Sequence, residues 1–122
     1  MPVTQLALLL SEGTVTPQQL AAAFKDRLQR YDGLLNTAVT VTSALANSQA
    51  AAAAAQSALQ RSSNSSGAVH SLLAGVPYGL KDLFSVPGYP TTWGLSALRN
   101  RTIDTVRAVT PCKRSLYALI QG

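Results

Sequence analysis

The residues with the clearest chemical potential lie in the stretch 75–82, GVPYGLKD, which is followed by Pro90, Thr91 and Thr92. Residues 76–80 are apolar and strand-like, which predicts Lys81 at or near the end of a strand, where sheet enzymes commonly present functional groups. A lysine held in such a place and kept from water can act as a base. Spacing alone is met more simply by an ordinary solvated lysine paired with Asp82. A second candidate nucleophile, Cys112, needs a base beside it, and the lone His70 sits in a Ser-rich stretch with no acidic residue nearby to orient it. An inert thiol is the reading for Cys112.

The elements that must position Lys81 are legible upstream. Residues 5–10 form an apolar run closed by Ser11, Glu12 and Gly13, a small helix stopped by glycine. Thr16, Pro17 and Gln19 then supply a hydroxyl at the N-cap, proline at the first helical position and glutamine at the third, so a capping box should start a helix at Pro17. Leu20, Phe24, Leu28 and Tyr31 recur at helical spacing, and Asp32-Gly33 is expected to end that helix at about Tyr31. Residues 37–42 alternate Thr with Ala and Val, the pattern of a short strand with one buried face.

Ser43 to about Arg61 contains the run AAAAAA at 50–55 and almost no helix breaker, predicting a second helix packed closely on a neighbour. The competing reading is an alanine tract without tertiary contacts. Residues 61–71 read as a Ser-rich linker, after which Pro77, Pro87 and Pro90 exclude a long helix.

The order Gly75, Pro77, Lys81, Asp82 and then Pro90-Thr91-Thr92 resembles the first block of the amidase signature family. The likeness runs from about Leu8 to Thr105, so residues 1–105 are read as the N-terminal part of an amidase domain. It implies an α/β fold: N-terminal helices plus the first strands of the amidase-type mixed sheet, left incomplete. It also implies hydrolysis of carboxamide C–N bonds by a Ser-Ser-Lys triad, without a cofactor, on a small-molecule amide substrate. Only Lys81 has a counterpart here. Both serines belong to a Gly/Ser-rich block that lies well beyond the lysine in the family, and Ser85, Ser96 and Ser115 lack that context. The expectation is therefore a truncated, inactive piece, with residues 106–122 a divergent basic tail outside the fold. Such a piece leaves edge strands and apolar faces uncovered, so self-association or binding to a full-length homologue or subunit is the alternative role. The block does not separate a stand-alone amidase from the amidotransferase subunit that releases ammonia from glutamine for transfer-RNA amidation.

Composition bounds the remaining classes. With 122 residues, 47% apolar and 12% charged, the chain suits one globular domain or part of one. The net charge of +5 is concentrated in the last quarter, at Arg99, Arg101, Arg107, Lys113 and Arg114, without interleaved aromatics or a groove-reading motif, so nucleic-acid binding is not expected. A single cysteine forms no intramolecular disulfide and no metal cluster. The N-terminus carries no secretory pattern and residues 7–10 are too short to span a bilayer, so the expected location is cytoplasmic.

Overall fold

The structure, a computed structural model, describes residues 1–62, 73–104 and 116–121, the last of these as backbone only. Helix α1 spans Val3–Glu12 and ends on Gly13, whose φ of 75° lets its amide donate to the Leu10 carbonyl at 3.2 Å. Helix α2, Pro17–Leu35, begins with the capping box. The Gln19 amide donates to Thr16 Oγ1 at 3.2 Å, and the Thr16 amide donates to Gln19 Oε1 at 2.9 Å. Both bonds satisfy amides that a helix start otherwise leaves open, so Thr16→Ala should cost about 1 kcal/mol, read as a lower urea midpoint at unchanged slope.

Helix α2 continues four residues past the expected stop at Tyr31. Gly33 is accommodated as a helical residue, and the left-handed position falls on Asn36, with φ 49° and its amide donating to the Asp32 carbonyl at 2.7 Å. Asp32 acts beyond the helix instead of ending it. Its carboxylate accepts from the Ala38 amide at 2.8 Å, the Thr37 hydroxyl at 3.0 Å and the Thr37 amide at 2.8 Å. Led by the Ala38 amide, these bonds hold its carboxyl below the usual range and turn the chain into strand β1, Ala38–Val41.

Helix α3, Ser43–Ser62, packs on α2 through alanines: Ala21 meets Ala46, Ala50 and Ala53, with Ala50 fully buried. Small side chains let two helix axes approach closely, so the alanine run is a packing face and not an unpartnered tract. A second cluster joins Leu10 of α1, Leu20 of α2 and Val76, with Leu6 and Val15 against it. Of the residues expected on the inner face of α2, Leu20 is buried whereas Phe24 and Tyr31 are exposed. Residues 63–71 of the expected linker lie outside the described residues, while Arg61 and Ser62 belong to α3.

Strand β2 is Pro77–Lys81 and strand β3 is Leu116–Gln121. The sheet order is β1-β3-β2, with β3 antiparallel to β1 and parallel to β2, and α2 and α3 lie against it. This is the mixed, incomplete sheet expected. The divergent tail read over 106–122 thus contains the middle strand of that sheet. LYALIQ is a short, nearly continuous apolar run, the pattern of a strand flanked on both edges, and the basic pair Lys113-Arg114 just before it masks the signal. No helix among the described residues is long and apolar enough to cross a membrane.

Candidate active site

Strand β2 is set in place by the glycine before it. Gly75 is buried with φ 89°, and a Cβ there would meet Pro17 Cγ at 3.1 Å and Leu10 Cδ1 at 3.3 Å. Only glycine combines that backbone conformation with so close an approach to the start of α2. From there the strand runs one residue later than the sequence suggests, so Lys81 is its final residue, in register with Gln121 of β3. The chain turns at once: the Phe84 amide donates to the Lys81 carbonyl at 3.0 Å.

Lys81 and Asp82 part company at this turn. Lys81 is exposed, and no ion pair involving it occurs among the described residues, where the pair found is Arg30 with Asp26 at 2.9 Å. Asp82 is 3% exposed and faces the loop that follows. Its Oδ1 accepts from the Thr92 amide at 2.8 Å, while Oδ2 accepts from the Thr92 hydroxyl and from the Gly94 amide at 3.3 Å. Burial opposes the charge on Asp82, but the Thr92 hydroxyl and the amides of Thr92, Gly94 and Trp93 outweigh it and hold the carboxyl below its ordinary value. The simple reading in which Asp82 neutralises a solvated Lys81 is therefore not the arrangement found.

The loop that Asp82 grips is tied down from its other side. Thr91 donates its amide to the Arg101 carbonyl at 2.8 Å, Pro90 bridges Thr102, and Arg101 Nε donates back to the Thr91 carbonyl at 3.2 Å. The Arg101 guanidinium carbon lies 3.8 Å from the centre of the Trp93 ring. Trp93 itself has φ 55°, a left-handed conformation uncommon for a bulky residue, followed by Gly94 at 75°. The sequence marks Pro90-Thr91-Thr92 but pairs Asp82 with Lys81 instead of with Thr92, and counts Arg101 only as one of the basic residues of the last quarter. The order Lys-Asp followed by Thr-Thr was visible, whereas a contact across ten residues was not.

The arrangement presents one exposed amine at a strand end, backed by a buried carboxylate that fixes the adjoining loop. Ser96 opens the short 3-10 turn Ser96–Leu98, Ser85 follows the turn after β2, and Ser115 lies outside the described residues, as do Cys112 and His70. A mainly apolar groove of about 610 Å³ is lined by α1 residues such as Val3, Ala7 and Leu8 with Ser57 and Leu73, and Lys81 is not among the residues described as lining it. No group of three or more His, Cys, Asp or Glu suited to a metal occurs among the described residues.

Comparison with known proteins gives this geometry a context. The family model described as Amidase matches residues 19–109. A glutamyl-tRNA(Gln) amidotransferase subunit from Alcanivorax borkumensis is 40% identical over 98 residues, which is 80% of this chain and 19% of that protein. The subunit of the same name from Pseudomonas putida is 33% identical over 100 residues, 82% of this chain and 19% of its own length. Among solved structures, a bacterial aryl acylamidase belonging to the amidase signature enzymes superposes with a TM-score of 0.82 at 24% identity, over 100% of this chain and 25% of that one. An amidase family protein from Bacillus anthracis gives 0.79 at 20% identity, over 100% and 24%. At these identities the two superpositions speak for the fold alone. The chain thus spans about a fifth of the length of the amidotransferase subunits it matches, and it belongs to the amidase family.

Proposed function

We propose that Lys81 is the base of an amide-hydrolysing centre of the Ser-Ser-Lys kind, to which these residues contribute the lysine and its supporting loop. The observation that carries this reading is the division of labour at the end of β2. Asp82, the nearest carboxylate in sequence, is occupied by Thr92 and Gly94, so it does not pair with the Lys81 amine, which lies exposed here and not kept from water as expected for a base. In the proposed reaction the Lys81 amine accepts, through a bridging serine, the proton of a nucleophilic serine. That serine oxygen bonds to the carboxamide carbon, and backbone amides stabilise the resulting oxyanion. The C–N bond then breaks as the nitrogen takes up the proton, and water releases the acyl group. Both serines come from polypeptide outside the matched segment. The 33–40% identity to these amidotransferase subunits favours a glutamine-type carboxamide as substrate.

A graft tests this. Residues 19–109 of this chain, placed in the Alcanivorax protein over the matched segment, should preserve ammonia release. Lys81→Ala within the graft should then lower kcat by about a thousandfold with KM little changed. Activity within about tenfold of the unmodified graft would sink the proposal.

A second reading, association with a larger homologue or another subunit, is favoured by the large apolar side chains left open at Leu34, Leu83, Trp93 and Leu95. Its sign is binding that survives Lys81→Ala, measured by sedimentation of the same variant.

A further inference from the structure

Arg101 makes more contacts than a loop arginine needs. Its Nε holds the Thr91 carbonyl at 3.2 Å, its own carbonyl takes the Thr91 amide at 2.8 Å, and its guanidinium lies 3.8 Å from the Trp93 ring centre. It keeps this position although, among the described residues, Nη2 is buried without an acceptor, and the Thr91 hydroxyl is likewise buried and unpartnered. Leaving a buried cationic donor unmet is unfavourable, so the stack and the Nε bond must outweigh it. What they hold is the backbone of Thr91 and the ring of Trp93, the residues on either side of Thr92. Thr92 in turn supplies two of the donors to Asp82, the residue directly after Lys81.

We propose that Arg101 is a positioning residue for the Lys81 end of β2, acting through the Thr91-to-Trp93 loop and the carboxylate of Asp82. The inference rests on the reading of Lys81 as the reactive amine, which gives that position its purpose. Arg101 clamps the loop from one side and Asp82 from the other, so Trp93 holds its left-handed conformation between two restraints. The turn closed by the Phe84 amide on the Lys81 carbonyl lies at the far end of this path.

Amide hydrogen exchange on the intact chain, with Trp93 fluorescence, tests the path. Trp93 is the single tryptophan, so its emission reports the surroundings of this one ring, the Arg101 stack among them. In Arg101→Met, which keeps bulk and removes the cation and fork, emission should shift red. The amides of Thr92, Gly94 and Phe84 should exchange about tenfold faster while Leu20 and Ala46, in the helices, are unchanged. A local packing role would speed exchange at residues 91–94 and leave Phe84 alone, and that outcome overturns the proposal. Should Leu20 and Ala46 lose protection too, the variant has opened globally, and the unmodified chain in low urea decides instead. There Thr92, Gly94 and Phe84 must open as one unit; Phe84 opening while Thr92 stays protected also overturns it. Neither readout involves catalysis, so failure here leaves the grafting result for Lys81 untouched, and the reverse holds.

Discussion

Asp82→Ala will destabilise this chain by about 3 kcal/mol, among the larger effects a single substitution can have on a small domain. The substitution strips the acceptor from the Thr92 amide and the Thr92 hydroxyl, and one of two acceptors from the Gly94 amide, which also donates to Thr92 Oγ1 at 3.2 Å, at a site only 3% exposed. Water cannot replace the carboxylate without opening the loop. The three losses share one acceptor and are not additive, which is why the expectation stays near the cost of one charged buried partner. Asp82→Asn should be milder, at about half that, because its carbonyl oxygen still serves the Thr92 amide while its NH₂ faces another donor at Gly94. Urea titration checks both, and a midpoint for the alanine variant indistinguishable from the parent would refute the account.

The same group sets a pH dependence of definite sign. The carboxyl of Asp82 is held below its ordinary value in the folded chain, so its contribution is fully present above the unfolded value of about 3.9. That contribution is lost as the pH falls through the lower folded value. Asp32 is shifted in the same direction and adds a term of the same sign. The parent should therefore lose stability on acidification below about pH 4 more steeply than Asp82→Asn, which retains only the Asp32 part.

Gly75→Ala is the second large effect, at about 2–3 kcal/mol. Two costs coincide: a φ of 89° that L residues rarely adopt, and a methyl group 3.1 Å from Pro17 Cγ and 3.3 Å from Leu10 Cδ1. Pro17 is a rigid ring at the start of α2 and has little room to yield. Gly88→Ala separates the terms, because its φ of 79° carries the same backbone strain with nothing within 4 Å of the added carbon. That control should cost about 1 kcal/mol, and equal midpoints for the two variants would show that packing at Gly75 contributes nothing.

What was legible in the chain follows the range of the interactions involved. The capping box at Thr16, the glycine stop at Gly13 and the helix over the alanine run are local, decided within four residues, and each appears where the sequence put it. The end of α2 was misjudged because Asp32 and Gly33 have turn propensity, yet the chain uses Asn36 for the left-handed step and Asp32 to hold the residues beyond it. The strand pattern put Lys81 at a strand end, where it lies, but the partner of Asp82 was not legible, since nothing in a carboxylate's neighbours reveals an acceptor for amides ten residues on. Strand β3 was missed for a related reason: its apolar run is only five residues long and follows basic residues, and only its neighbours in space identify it.

The position of that strand bears on how the chain comes together as it is made. β1 and β2 do not pair with each other; every ladder in the three-stranded sheet runs through β3. Translation delivers residues in order, at about 5–20 per second, so α1, α2 and α3 can meet long before any sheet exists. For that interval the two earlier strands wait with their backbone groups open, β2 already carrying Lys81 at its tip. Both ladders can form only once β3 has been made and its residues come to lie between β1 and β2.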